Sequence, residues 1–268
     1  MNSSIVLINS MNYILPEHAD KVVVSGSHGG LYCAAKAVGH KVRGVILHDA
    51  GICLDHAGVA VLDFCEPYRI PAAVVDSDTA RIGDVTHTWE HGLVSLCNGE
   101  ASRLGVRPGM TCAEAAERFT AATPQWGPVE EVGEHRHEYV LSEGLEPVVC
   151  IDSASLIRPE DEGRIVVTGS HGGLIGGNPA KAINVPACFL AFNDAGFGFE
   201  NAGTGRLEPL DSRGIPAVLV AAGSARIGDG LSTLLDGVIS AVNQCAGQAG
   251  FQKGLPLKDT LREWQQRR

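Results

Sequence analysis

Two histidines close the same short phrase. Lys21 to Leu31 reads KVVVSGSHGGL, and Arg164 to Leu174 reads RIVVTGSHGGL. An imidazole between a β-branched run and a glycine pair sits where a chain turns out of a strand, so His28 and His171 are candidates for acid-base chemistry. Ser27, Gly29 and Gly30, with Ser170, Gly172 and Gly173, offer hydroxyl and backbone N–H groups that can hold an anionic substrate or a developing oxyanion. The alternative is that the glycines only make a tight turn into a helix. The distribution of histidine favours chemistry: nine of the ten precede the second copy, and His171 is the one inside it. Because Gly26 directly precedes Ser27, the motif is not a nucleophile elbow.

Two further polar motifs occur twice. Asp49-Ala50-Gly51 matches Asp194-Ala195-Gly196, and ARIGD at 80 to 84 matches ARIGD at 225 to 229. Asp49 and Asp194 can orient the histidine of their own copy or cap a following helix. Arg81 and Arg226 can clamp a substrate carboxylate through a bidentate fork, or pair with Asp84, Asp229 or another acid. Asp84 and Asp229 read as helix N-caps. The first copy carries His48, His56, Asp78, His87 and His91 where the second has Asn193, Asn201, Gly223, Ser232 and Asp236. That excess makes the first copy the expected leader in catalysis, with the larger loss at His28.

The elements that position these groups follow from the repeat. The opening motifs match at an offset of 143, and DAG, IPA and ARIGD match at 145. Residues 1–119 and 148–268 are expected to form two tandem homologous α/β repeats, with 120–147 as connector. Within a repeat, VVVSG, VRGVIL and IPAAVV alternate with helical stretches, the last running from Asp84 to Leu104. Short apolar runs joined by helices predict mostly parallel sheets, and two copies predict a pseudo-two-fold arrangement. Ligands of such sheets bind beyond the strand carboxyl ends, where all three polar motifs fall.

Composition narrows the partner. With 44% hydrophobic and 19% charged residues, the 268-residue chain should fold throughout, and its formal charge of -10 disfavours nucleic acid and anionic membrane surfaces. A small molecule is the expected partner, and a homo-oligomer stays open. The first residues show neither a basic segment nor a long apolar core, and the eight cysteines form no CxxC pair, so a cytoplasmic protein is expected.

Two local patterns resemble known families. His87-Thr88-Trp89-Glu90-His91 is similar to the HxxEH motif of inverzincin metallopeptidases, which implies zinc on His87 and His91 with Glu90 as base. A solvated helix face explains the same five residues. VVVSGSHGG followed by VILHDAGIC resembles the caspase-like cysteine peptidases, although the nucleophile position reads Gly51 and the nearest thiol is Cys53, matched by Gly198. His135 and His137 alternate on a connector strand and should face solvent. The leading expectation is a hydrolase of a small, polar, anionic substrate with an amide-like C–N bond, needing no cofactor. Its rivals are a non-catalytic anion-binding protein and a zinc-dependent hydrolase.

Overall fold

The computed structural model of the chain describes residues 3–129 and 131–268. A first sheet contains β1 (Ile5–Ile8), β2 (Val22–His28), β3 (Gly44–His48), β4 (Ala72–Val75) and β5 (Val94–Cys97), hydrogen-bonded in that order. A second contains β6 (Arg136–Tyr139), β7 (Val148–Ile151), β8 (Ile165–His171), β9 (Phe189–Asn193), β10 (Ala217–Val220) and β11 (Ile239–Val242), also in chain order. Strands β1 to β4 are parallel, as are β7 to β10, while β5, β6 and β11 add antiparallel edges. The protein is therefore mixed α/β with two mostly parallel sheets. Its helices are α1 (Leu31–Gly39), α2 (Val61–Cys65), α3 (Val85–His91), α4 (Gly99–Arg103), α5 (Cys112–Phe119), α6 (Leu207–Asp211), α7 (Gly230–Leu235), α8 (Gln244–Gln248) and α9 (Leu257–Arg267). Among the described residues, no helix is long and apolar enough to cross a membrane.

Both faces of each sheet are covered, which is why the strands are continuous apolar runs. Val23, Val45, Leu47 and Val74 pack into one layer, and Val22, Val24, Ile46 and Val75 into the other. In the second sheet, Val167, Ala191 and Val218 alternate with Val166, Leu190 and Leu219 in the same way. Fully burying each such valine or leucine contributes about 1.5–3 kcal/mol.

Two expectations about elements need correction. The helical stretch expected from Asp84 to Leu104 is interrupted: α3 ends at Gly92, and Val94–Cys97 forms the edge strand β5 before α4 begins. Gly92 leaves the helical conformation, and the LVSLC stretch pairs with β4 instead of completing another turn. The strand-helix alternation also differs between the copies. After GSHGGL the first forms α1, whereas the second forms two short 3-10 turns at Ile175–Gly177 and Pro179–Lys181. Gly176 and Gly177 take positive φ and Pro179 removes an N–H, so no α-helix propagates there.

The sheets meet through unusual loops. After β3, Ala50, Gly51, Ile52, Cys53, Asp55 and His56 all have positive φ. After β9, Ala195, Gly196, Phe197, Gly198, Glu200 and Asn201 do the same. The two loops abut: a Cβ on Gly51 would lie 2.9 Å from the Gly196 Cα. Ala50, Cys53, Ile82, Ala195, Ala222 and Ile227 form a small apolar cluster at this junction. The Phe199 N–H donates to the Ser77 carbonyl at 2.7 Å, and the Gly176 N–H to the Gly83 carbonyl at 2.8 Å.

Strand β6 comes from the connector segment and is fastened by charge. The Arg136 guanidinium donates to both Asp161 oxygens, at 3.0 and 2.5 Å, and the Arg158 N–H adds a third bond at 2.8 Å. Burial pushes the Asp161 carboxyl up, but these donors outweigh it and hold the group below its usual range. Such a carboxylate stabilises the fold above the ordinary aspartate pKa, and the contribution is lost as pH falls through the depressed value. Asp161→Asn should lower unfolding stability by about 3 kcal/mol at neutral pH, because Arg136 then loses its buried partner. Urea denaturation at pH 7 and pH 3 checks this: the deficit of the variant should shrink at the lower pH.

Candidate functional site

Each histidine ends a strand that has been bent to present it. The β2–β3 register shifts between Val24 and His28, so that His28 pairs with His48, and β8–β9 shifts between Val167 and His171, so that His171 pairs with Asn193. Room for the bend comes from the preceding glycine. A Cβ on Gly26 would lie 2.8 Å from the Asp84 N, because the ARIGD turn lies against the strand and the Gly83 N–H donates to the Gly26 carbonyl at 2.8 Å. Gly228 and Gly169 make the same bond at 2.7 Å. Each turn also reaches the opposite histidine: a Cβ on Gly83 would be 3.4 Å from His171 Cε1, and one on Gly228 would be 3.5 Å from His28 Cε1.

The tautomer of both rings is set by the glycines that follow. The Gly30 N–H donates to His28 Nδ1, and the Gly173 N–H to His171 Nδ1, each at 3.1 Å. With Nδ1 accepting, the neutral ring carries its proton on Nε2. Burial lowers the His28 pKa to about 4, with His48 adding a smaller repulsion. Burial also pushes His171 well below its ordinary value, reinforced by Arg206, His28 and His48. At neutral pH both imidazoles are therefore uncharged Nε2–H donors. Neither Nε2 has a hydrogen-bond partner among the described residues, and both rings line one cavity of about 850 Å³.

Other groups singled out by sequence are engaged elsewhere. The Gly29 N–H donates to the His48 carbonyl at 2.9 Å and the Gly172 N–H to the Asn193 carbonyl at 2.8 Å. With Gly30 and Gly173 bonded to the rings, the glycine amides expected to hold an anion are all occupied. Asp49 accepts from the Gly51 and Ser77 N–H groups and the Ser95 hydroxyl. Asp194 accepts from the Gly196 and Ala222 N–H groups at 2.9 Å. The structure bonds neither carboxylate to the His28 or His171 imidazole. Ser27 and Ser170 line the cavity, and their hydroxyl oxygens accept from the Met11 and Ala154 N–H groups at 2.9 Å. Arg81 pairs with Glu200, and Arg226 with Asp55, so both arginines join the two halves. Asp84 and Asp229 cap α3 and α7.

His48 and Asn193 occupy matched places and do matched work. His48 Nδ1 accepts from the Ala50 N–H and its Nε2–H donates to the Ala80 carbonyl, both at 3.0 Å. Asn193 Oδ1 accepts from the Ala195 N–H at 2.8 Å, and its Nδ2 donates to the Ala225 carbonyl at 3.3 Å. Both side chains tie a strand end to an ARIGD turn, so the extra histidine of the first copy is structural here. Cys53 is not poised as a nucleophile either. Its thiol donates to the Ala50 carbonyl at 3.1 Å, and burial raises its pKa to about 12.

The HxxEH residues lie on α3, beside a separate hollow that Arg81, Phe199 and Glu200 also line. The His87 and His91 rings are 4.6 Å apart, and His87 Nδ1 accepts from the Arg81 N–H at 3.3 Å. Among the described residues, no group of three or more His, Cys, Asp or Glu side chains is arranged to hold a metal. His135 and His137 are exposed at the mouth of the large cavity, where His135 Nδ1 lies 3.0 Å from an Asp152 oxygen.

Two cavity residues were not anticipated from the sequence. Arg206, 5% exposed, stands beside His171, and Glu134 of the connector lies on the wall near Tyr32 and Ser153. Burial raises the Glu134 pKa. Arg206 falls opposite Val61 when the copies are matched at an offset of 145, and this exchange of valine for arginine was its signal. No protein-family model, curated protein or solved structure matches the chain.

The neutral rings carry a pH prediction. An unfolded histidine takes up its proton near pH 6.5, whereas folded His28 resists until about pH 4. Stability should therefore fall as pH drops from about 6.5 towards 4, by on the order of 3 kcal/mol for this residue. Histidine-selective ¹⁵N NMR should show Nε2 protonated and a His28 midpoint near 4. His28→Gln should remove part of the loss measured by denaturation.

Proposed function

We propose that the chain is a hydrolase for a small, polar, anionic molecule with an amide-like C–N bond, bound in the cavity lined by His28 and His171. The observation that carries this reading is the pair of neutral Nε2–H donors, without protein partners among the described residues, lining one cavity. A neutral imidazole with Nδ1 already accepting is poorly suited to take a proton and well suited to polarise an oxygen. The histidines therefore act as electrophilic donors in place of the base first expected of them.

The base in this reading is Glu134. Asp152 and Asp229 also line the cavity, but each commits an oxygen to a backbone N–H, of Gly230 and Ser232 respectively. Glu134 accepts no backbone N–H among the described residues, only the Ser153 and Tyr32 hydroxyls, and burial outweighs these to raise its proton affinity. Water adds to the carbonyl carbon as Glu134 takes its proton. The carbonyl π electrons move onto oxygen, which the His28 Nε2–H holds. Collapse of this adduct breaks the C–N bond, and Glu134 returns the proton to the leaving nitrogen. The products are a carboxylic acid and an amine.

The same proposal treats residues 1–119 and 148–268 as homologous repeats related by a pseudo-two-fold, with 120–147 between them. It is supported by matched bonds: Gly83 N–H to Gly26 and Gly228 N–H to Gly169, Val61 N–H to Gly29 and Arg206 N–H to Gly172. Eight free thiols suit a reducing compartment such as the cytoplasm. A second reading, a non-catalytic anion-binding protein, is favoured by the lack of a carboxylate on either imidazole.

A panel of small amides carrying a carboxylate, assayed by amine release, tests the hydrolase. On any substrate found, His28→Ala and His171→Ala should each reduce kcat by about 10²–10³-fold with the circular dichroism spectrum unchanged. Glu134→Gln should lose the acid limb of the pH profile. Tight binding without turnover across the panel would favour the binding protein, and unchanged turnover in both histidine variants would refute the assigned site.

A further inference from the structure

Arg206 is a buried charge without a counter-charge among the described residues. Its backbone N–H donates to the Gly172 carbonyl at 2.8 Å. Its Nε donates to the Gly173 carbonyl at 3.2 Å, and Nη1 donates to the carbonyls of Lys181, at 3.3 Å, and Ala182. The guanidinium lies over the Phe192 ring, 5.0 Å from its centroid. Three of the five N–H bonds are thus answered by main-chain oxygens. The two on Nη2 have no acceptor among the described residues, and no carboxylate there lies within ion-pairing distance. A protein interior tolerates an unpaired guanidinium poorly, and this one borders a cavity.

We propose that Arg206 and His171 form a carboxylate-binding subsite at the second-sheet end of the cavity, one ligand oxygen accepting from Arg206 Nη2 and the other from the His171 Nε2–H. The inference rests on the reading of the cavity as a substrate site, and it gives that site a direction. The matched residue in the first half is Val61, whose N–H makes the same 2.8 Å bond to Gly29 but whose side chain joins the apolar core. Of these two matched positions, only the one in the second half carries a charge. A substrate enters with its carboxylate towards His171 and its reacting carbonyl towards His28.

A carboxylate fits better than a phosphate dianion. Arg206 supplies one positive charge, Arg226 is paired with Asp55, and Lys181 stacks on the Tyr13 ring at 5.7 Å. The guanidinium stays charged at neutral pH, its pKa lowered by burial only to about 10.

Calorimetric titration of the full chain with malonate, acetate, acetamide and inorganic phosphate tests the subsite. Malonate and acetate should bind the wild type, and acetamide should not. Arg206→Met should weaken malonate by about 10–100-fold, as loss of a charge-assisted bond predicts, with Arg206→Lys in between. His28→Ala should leave malonate affinity within about two-fold while lowering turnover by about 10²–10³-fold, which separates this subsite from the catalytic reading. Because Arg206 also ties the 173–182 loop, a poorly folded variant is replaced by a wild-type measurement: malonate should shift the ¹⁵N guanidinium resonances of Arg206. Wild-type affinity in Arg206→Met, tighter binding of phosphate than of malonate, or no shift at Arg206 would each overturn the proposal. Should His28→Ala still lower turnover in that case, the catalytic reading would stand without the subsite.

Discussion

The hydrogen bond from a glycine N–H to the Nδ1 of a histidine two residues earlier governs this site. It requires the ring to fold back over its own main chain, and a Cβ on Gly30 would lie 2.6 Å from His28 Nδ1. The preceding Gly29 is equally constrained, since a Cβ there would come within 2.6 Å of the Gly58 carbonyl oxygen. His-Gly-Gly is thus one stereochemical unit, in which the glycines make room for a ring of fixed tautomer. The strand bend, the turn packed across it and the burial of the ring all serve that unit. Its chemical effect is to convert a residue usually chosen for proton exchange into a directed, uncharged donor.

Much of this was legible in one dimension. The doubled GSHGGL located the strand ends, and the β-branched runs before it marked β2 and β8. Asp84 and Asp229 were readable as caps because a cap is a local event, made with an N–H three residues on. The roles of Asp49 and Asp194 were not, because their partners at Ser77 and Ala222 lie 28 residues away and reach them only across the sheet. The arginines of ARIGD failed to declare their partners for the same reason: Glu200 and Asp55 belong to the opposite half. Edge strand β5 escaped notice because four residues between two short helices carry too weak a period to separate strand from helix.

Comparison of the two halves shows which features geometry demands and which it leaves free. His48 and Asn193 differ in chemistry yet bridge the same main-chain groups, so that position needs only an acceptor and a donor at the correct separation. Val61 and Arg206 share a backbone bond and nothing else. Where the helix α1 stands in the first half, the second has a glycine- and proline-broken loop whose carbonyls receive the guanidinium. The broken loop leaves free the carbonyls that the arginine needs, which an α-helix would have used within its own turns.

The left-handed loops after β3 and β9 bear on how the molecule opens. Ile52 and Phe197 hold φ values of 67° and 63°, which cost of order 1–3 kcal/mol each in a bulky side chain. Such a backbone persists only under constraint, and here each loop constrains the other through the contact of Gly51 with Gly196. If either half unfolded alone, the surviving loop would relax and release its hold on Asp55 or Glu200, the acids that clamp the opposite arginines. Loss of either loop therefore removes a constraint from the other half as well.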